Sequence, residues 1–320
     1  MTLKTGVVSI VVPIYKRLHY LPGVLQAIAS QDYPHIDLIV SDNGGIGEQA
    51  KPVIDAHYPR PYRLRKTPKT LSISGHFNDA LTDAQGEYLL WLCDDDLISP
   101  NYVSELVGIL QRRPEVAVAI ARQEMIDEEG RVLRQSAPDM PELMSGEEFI
   151  HAWTQYGFEC YATVLMRTQD VREVGGFGPF PHGTAADDAL LIRLCFRGAV
   201  AFSQRCTFKW RWHESSAGFA ISPKQLATDH RAFLTFLDTH PVVLDFARKH
   251  PAEWTRMKRS IVAMTWITYL NRWKLLYRNR LTTVQWVRAA FEMPFIPRYY
   301  RSVGVELWNA LKAPRPSRMK

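Results

Sequence analysis

The chain has 320 residues, 46% of them hydrophobic and 22% charged, enough apolar surface for one large or two modest cores and too much for disorder along most of its length. Its net charge of +6 is unevenly spread: residues 246–320 carry 16 Lys+Arg against 3 Asp+Glu, or +13, which leaves 23 against 30, or −7, for residues 1–245. The four cysteines, Cys93, Cys160, Cys195 and Cys206, show no CxxC spacing, which argues against zinc and against a secreted disulfide framework and fits a reducing cytosol.

The first apolar run, 7–12, is broken by Pro13 and is too short for a signal-peptide core or a membrane span. No other segment reaches about 18 continuous apolar residues, so a soluble or surface-bound protein is expected. The pattern predicts strand at 7–12, helix at 20–30, strand at 36–41, helix at 47–57, a short strand at 62–65, helix at 72–84 and strand at 88–92. Alternation at this spacing implies βαβ units and a mainly parallel sheet with helices on both faces. A helix at 101–112 and a strand at 116–121 follow, and Asp127-Glu128-Glu129-Gly130 has the composition of a hairpin turn. Helix is expected at 146–154, strand at 161–166, a turn at Gly175-Gly176-Phe177-Gly178-Pro179 and helix at 187–197, an α+β half that completes a site. From Pro223 the chain reads mostly as helix. Val262, Trp266, Tyr269, Trp273 and Leu276 are spaced 4, 3, 4 and 3 residues apart on one apolar face, with Arg259, Arg272, Lys274, Arg278 and Arg280 around it. There are no internal repeats.

Asp94, Asp95 and Asp96 stand directly behind the apolar run 88–92 and ahead of Pro100. One reading is a solvated turn followed by a helix cap. The other rests on location: a buried strand would aim the cluster at the sheet edge where ligands bind in open α/β folds. Carboxylates gathered there are costly to desolvate and call for a hard divalent cation, which would in turn bind phosphate.

The segments Val8-Ser9-Ile10-Val11-Val12-Pro13-Ile14-Tyr15-Lys16-Arg17, Ser41-Asp42-Asn43-Gly44, Asn78-Asp79-Ala80-Leu81, Ala84-Gln85-Gly86-Glu87-Tyr88 and Asp94-Asp95-Asp96, in this order and spacing, resemble a family 2 glycosyltransferase of the GT-A fold over roughly residues 6–215. Asp187-Asp188 followed by Arg193 and Gly198 resembles the family's acceptor-site acidic pair, and Arg211-Trp212-His213-Glu214-Ser215-Ser216 its terminal Arg-x-His segment. Two departures stand out. Cys93 occupies the place where the family's Asp-x-Asp often begins, and Ser41-Asp42-Asn43-Gly44 replaces the usual Asp-Asp-Gly-Ser.

The resemblance implies an α/β fold with a Rossmann-like, mixed, mainly parallel sheet flanked by helices. It implies a catalytic domain over 1–222, with a nucleotide half at about 1–100 and an acceptor half at about 101–222, and a helical, basic, aromatic-rich region over 223–320. Pro13, Tyr15 and Arg17 would help enclose the nucleotide, Asp42 would accept a hydrogen bond from the base, and Asn78 would lie nearby. A carboxylate suits the imide N–H of uracil or thymine because it only accepts. An Asx turn before Gly44 is the alternative for Asp42, and a solvent-facing position the alternative for Asn78. Asp94 is expected near the ribose, Asp95 on Mg²⁺ or Mn²⁺ beside the diphosphate, Asp96 on the metal or capping the next helix, and His213 on the metal or diphosphate. Asp188 would be the base that activates an acceptor hydroxyl, with Asp187 and Trp212 at the acceptor site, although negative charge at a helix N-terminus also accounts for both aspartates.

The implied activity is inverting transfer from a uridine or thymidine diphosphate sugar to a saccharide or lipid-linked saccharide, in bacterial polysaccharide or glycolipid assembly. Trp91, Trp153, Tyr156 and Trp210 offer either sugar-stacking faces or core. The basic C-terminal region is either a solvated helical face or an interfacial segment on an anionic membrane, which would place a cytoplasmic enzyme peripherally on the inner face of the cell membrane. The rival is a non-catalytic α/β scaffold whose basic tail binds nucleic acid or membrane. No zinc spacing, RNP-like motif or helix-turn-helix supports the nucleic-acid branch, so no nucleic acid is expected. GxGxxG and GxxxxGK[ST] fingerprints are absent, and Pro13-Ile14-Tyr15-Lys16-Arg17-Leu18 stands where a nucleotidylyltransferase needs a glycine-rich loop.

Overall fold

The computed structural model describes residues 2–135, 140–156, 163–213, 216 and 221–277, with the side chains of 156, 223–224 and 266–277 left out. The expected face of Trp266, Tyr269, Trp273 and Leu276, its flanking Arg272, Lys274, Arg278 and Arg280, the Tyr156 side chain, and Cys160, Glu214 and Ser215 lie outside what is described.

The first half follows the predicted alternation. Strand β1 (Lys4–Ile14), helix α1 (Leu21–Ala29), β2 (Ile36–Asp42), α2 (Gly47–His57), β3 (Tyr62–Lys66), α3 (Ile73–Leu81) and β4 (Gly86–Trp91) build parallel ladders β1 with β2, β2 with β3 and β1 with β4. Val8, Ile10, Val12, Leu38, Val40, Tyr88 and Leu90 form one core with Leu21, Val24, Leu25 and Ile28 of α1. Because side chains alternate across a sheet, the intervening Ser9, Val11, Ile39 and Leu89 face the other layer, and all of them are buried. Ser9 is polar in that setting and is fully used: its hydroxyl donates to Asp37 at 2.8 Å and accepts from the Gln85 and Gly86 N–H groups at 3.1 and 2.9 Å.

The second half contains β5 (Leu97–Ile98), α4 (Tyr102–Arg112), β6 (Val116–Ile126), β7 (Val132–Gln135), β8 (Leu143–Met144), α5 (Gly146–Tyr156), β9 (Leu165–Arg167), α6 (Thr168–Glu173), α7 (Ala186–Cys195) and β10 (Ala199–Arg211). The sheet order is β3-β2-β1-β4-β9-β6-β10-β5, with β7 beside β6 and β8 beside β10. β9 pairs antiparallel with both β4 and β6, whereas the long β6–β10 ladder is parallel, so the sheet is mixed.

Strand β10 has no counterpart among the predicted elements. Its 13 residues change register against β6 between Ser203 and Thr207, and exposed Gln204 and Arg205 interrupt the apolar alternation there. β6 outruns its expected end at 121 for a related reason: polar Arg122, Gln123 and Glu124 are held as strand by Thr207–Lys209 of the partner rather than by an apolar pattern. β9 begins at Leu165 rather than 161, and α6 is too short and polar to leave a periodic signal. Trp91 and Trp153 belong to the core, at 1% and 2% exposure, and so offer no face to a sugar.

Helices α8 (Pro223–Thr239), α9 (Pro241–Lys249) and α10 (Pro251–Tyr277) follow. Ser222 and Gln225 close a reciprocal capping box on α8. Phe233 and Phe236 of α8 pack on Phe180, with centroids 6.1 Å away in each case, which draws this helix into the compact unit Met1–Ile261. A second unit comprises Val262–Lys320. The first unit thus takes in helices α8 and α9 along with the sheet. Among the described residues no helix is long and apolar enough to cross a membrane.

Gly86 marks a tight point in this frame. A Cβ there would lie 2.5 Å from the Val7 carbonyl oxygen and 2.6 Å from the Ser9 nitrogen, both strand backbone. Gly86→Ala should therefore lower the unfolding free energy by about 2 kcal/mol, read as a reduced urea midpoint. An unchanged midpoint would mean that the two strands separate there without cost.

Candidate active site

At the end of β4 the chain leaves the sheet through Leu92 and Cys93, turns on an Asp96 N–H to Cys93 carbonyl bond of 3.3 Å, and re-enters as β5, which is fixed antiparallel to Phe208 and Lys209 of β10. Asp94, Asp95 and Asp96 are thereby held at 7%, 8% and 7% exposure, which removes the solvated-turn reading. Three carboxylates at that depth require counter-charge and hydrogen bonds.

These partners come from two distant segments. From the loop after β1, Arg17 donates through Nη2 to Asp94 Oδ1 at 2.7 Å and through Nε to Asp94 Oδ2 at 3.3 Å, and the same Nη2 also meets Asp95 Oδ2. From beyond β10, His213 Nε2 lies 2.9 Å from Asp95 Oδ2, with the imidazole only 1% exposed. Arg211 closes the turn from below. Its N–H donates to Asp96 Oδ1 at 2.9 Å and its Nε to the Asp95 carbonyl at 2.9 Å, while Nη1 reaches the Asp127 and Glu128 carbonyls at 2.8 and 2.7 Å. Tyr20 lies beneath the Arg211 guanidinium, 4.8 Å from centroid to cation, and beside the His213 ring at 5.1 Å.

Burial pushes the Asp94 carboxyl up to about 6, against the opposing pull of Arg17 and with Asp95 adding to the rise. Burial and then the charge on Asp95 push Asp96 well above the carboxylate range. Cys93 keeps some exposure, yet its thiol is driven well up by its packed surroundings and then by Asp96, Asp95, Asp94 and Asp187. The Cys93 sulfur and one oxygen each of Asp95 and Asp96 lie within 4.8 Å of one another. Two hard oxygen donors in a cluster whose burial resists ionisation without added positive charge fit a divalent cation.

The neighbouring loops are braced rather than open. Pro13 pairs with Ser41 across β1 and β2, and a Cβ on Gly44 would lie 2.7 Å from the Lys16 nitrogen, so the two loops cross in contact. Lys16 takes a left-handed φ of 57° there and Tyr15 remains 47% exposed. The Asp42 carboxylate, expected on the base, is wholly buried and accepts the N–H groups of Gly44 and Gly45 on Oδ1, both at 2.8 Å, and that of Gly47 on Oδ2 at 2.7 Å. It organises the entry to α2 as the Asx-turn reading anticipates. Asn78, expected near the nucleotide, clasps Phe177, donating to its carbonyl at 2.9 Å and accepting its N–H at 2.7 Å. Both ends of its amide are committed to the turn ahead of α7.

That turn positions the second acidic pair. Asp187 and Asp188 occupy the first turn of α7, after Ala185 at a left-handed φ of 63°, and the charge of Asp187 reaches Cys93. Two side chains hold the helix in place. Arg193, 1% exposed, donates to the carbonyls of Ala189 at 2.8 Å, Gly176 at 2.5 Å and Val174, and burial lowers its pKa to about 10. Asp229, fully buried, accepts the N–H groups of His182 at 3.0 Å and Thr184 at 2.8 Å. Trp212, the other expected acceptor-site residue, is 39% exposed. The brace residues Tyr20 and Asp229 carry no sequence signal, and Arg211 was visible only as part of its Arg-x-His segment.

The raised Asp94 carboxyl has a measurable consequence. An ordinary aspartate titrates near 3.8, so the folded, metal-free chain takes up this proton more readily than the unfolded one. Ionising Asp94 therefore costs stability above about pH 6, and the cost disappears as pH falls towards 3.8. In EDTA, the stability difference between wild type and Asp94→Asn should shift towards the wild type by up to roughly 3 kcal/mol between pH 7.5 and 4. Urea midpoints measured across that range test it, and a constant difference would show that Asp94 titrates as it does in water.

The architecture and the sequence have known counterparts. The chain is similar to uncharacterized glycosyltransferases of Rickettsia conorii, 26% identical over 218 residues, and Rickettsia felis, 28% identical over 216 residues. Each match covers 67% of this chain and 35% or 36% of the relative, so the chain spans about a third of the length of these curated relatives. Its fold is similar to that of S. aureus TarS 1–349 in complex with UDP-GlcNAc, at a TM-score of 0.64 and 17% identity, covering 94% of this chain and 82% of the other. It is also similar to the Pyrobaculum calidifontis mannosyltransferase PcManGT in complex with GDP-Man and Mn²⁺, at 0.57 and 14% identity, covering 95% and 85%. With its mixed sheet flanked by helices, the chain has the architecture of GT-A glycosyltransferases. The model for "Glycosyl transferase family 2" matches residues 9–175, more than half of the chain, and the protein belongs to that family.

Proposed function

We propose that the protein transfers a sugar from a uridine or thymidine diphosphate sugar to an acceptor hydroxyl, with inversion at the anomeric carbon and with Mg²⁺ or Mn²⁺ bound at the acidic turn. The observation that carries this reading is the convergence of Asp95, Asp96 and Cys93 ligand atoms within 4.8 Å at the carboxyl end of β4. The UDP-GlcNAc complex of TarS and the Mn²⁺ complex of PcManGT support the donor class and the metal.

Asp95 and Asp96 would hold the cation, with His213, whose Nε2 lies 2.9 Å from Asp95 Oδ2, on the metal or the diphosphate. Bound there, the ion would neutralise the charge that grows on the departing diphosphate. Pro13, Tyr15 and Arg17 flank the nucleotide in this reading, Asp94 lies near the ribose, and Asp42 sets the loop that receives the base. Asp188 takes the proton of the acceptor hydroxyl as the acceptor oxygen bonds to the anomeric carbon and the bond from that carbon to the diphosphate oxygen breaks. Attack from the face opposite the leaving group inverts the centre, as one displacement must. Asp187 and the exposed Trp212 shape the acceptor side.

The donor belongs to the half built from residues 1–100 and the acceptor to 101–222. A saccharide or lipid-linked saccharide of bacterial polysaccharide or glycolipid assembly fits as acceptor, because the +13 charge of residues 246–320 favours peripheral attachment to an anionic membrane surface.

Asp188→Asn should reduce transfer at least 10²-fold, the usual scale for removing a general base, while UDP with Mn²⁺ still raises the melting temperature as in the wild type. Asp95→Ala should abolish the Mn²⁺-dependent part of that rise. Retained transfer by Asp188→Asn would remove that residue from the base role, and a wild type indifferent to every nucleoside diphosphate in Mn²⁺ would remove the donor assignment.

A further inference from the structure

Among the described residues, Arg17 is the guanidinium bonded to two of the three acidic side chains, joining Asp94 and Asp95 through Nη2. Its own side chain is 28% exposed, against 9% and 11% for theirs, so of the three it is the one in contact with solvent to any extent that would let an incoming ligand reach it. The Asp95 oxygen that it meets is also the one facing His213. A divalent cation approaching Asp95 therefore meets an arginine already in place, and a diphosphate approaching without a cation meets three buried carboxylates.

We propose that Arg17 is an exchangeable counter-ion. It neutralises the acidic turn in the free protein, is displaced when a divalent cation reaches Asp95, and then grips the diphosphate that arrives with the cation. Displacement costs the protein its forked Arg17–Asp94 pair, and phosphate oxygens offer the guanidinium equivalent forked bonds. Cation and nucleoside diphosphate thus bind weakly alone and tightly together, and Arg17 is the source of the coupling between them. The inference rests on the reading above that cation and diphosphate meet at residues 94–96, and it adds a positioning role that this reading does not require.

The test is a Mn²⁺ titration followed by electron paramagnetic resonance, with and without UDP, on wild type, Arg17→Gln and Arg17→Lys whose native melting transitions have been verified. Glutamine keeps donors and bulk but no charge; lysine keeps the charge but not the fork. In the wild type UDP should tighten Mn²⁺ binding by a factor within the ordinary coupling range of about 5–150. In Arg17→Gln, Mn²⁺ alone should bind about tenfold tighter, as expected when a competing cation is removed, and the UDP enhancement should shrink towards one. Arg17→Lys should restore weak binding of Mn²⁺ alone. If Arg17→Gln binds Mn²⁺ alone no better than wild type, or retains the full enhancement, the exchange is wrong while the metal site stands. If the wild type binds no Mn²⁺ even with UDP, the metal site and the exchange fail together.

Discussion

Three carboxylates buried in consecutive positions cannot be tolerated without compensation, and the way this protein compensates Asp94, Asp95 and Asp96 governs the arrangement around them. Arg17 answers from the loop after β1, while Arg211 and His213 answer from the end of β10. Each partner thereby ties its own strand to the turn after β4. The electrostatic requirement and the sheet topology are one constraint: the charges are satisfied only when β1 and β10 both end beside the turn that follows β4.

Arg211 shows how economically this is done. Its guanidinium forms no ion pair with the acidic side chains. It donates to the backbone carbonyls of Asp95, Asp127 and Glu128, fixing the acidic turn and the β6–β7 hairpin at once, and leaves the Asp95 Oδ2 oxygen to Arg17 and His213. Since a bidentate arginine on Asp95 would compete directly with a metal ion, holding the turn by its backbone preserves the carboxylate for other ligands. The acceptor side is built likewise. Asn78, Arg193 and Asp229 spend their polar groups on backbone atoms of the segment leading into α7, and so set the first turn that carries Asp187 and Asp188. Arg193 accepts the cost of burial, visible in its lowered pKa, because three carbonyls replace the water it loses.

The nucleotide loops illustrate where residue type is a weaker guide than position. Asp42 and Asn78 are the residue types that contact a nucleotide, and both stand where the family resemblance expects them, yet each is engaged by backbone groups of its own framework. An acceptor-only carboxylate ahead of two glycines serves an Asx turn as readily as a base edge. The sequence left those alternatives open because both uses draw on the same lone pairs.

Local physics made much of the fold legible. The alternation of apolar runs with amphipathic stretches up to Trp91, the turn at Asp127 to Gly130 and the start of α8 at Pro223 are written in periodicity and in residues whose preferences act within a few positions. The same holds for the acidic turn itself and for Asp188 at the head of α7. Tertiary structure alone decided that Arg17 and His213, 77 and 118 residues away from their partners in sequence, converge on the turn. It also decided that the interrupted stretch from Ala199 to Arg211 is a strand, and that a three-residue antiparallel strand, β9, joins the halves of the sheet. The reason is that periodicity reports which face of an element is buried, whereas pairing across a sheet depends on register with a distant strand, and a buried charge names its need for a partner without naming the partner.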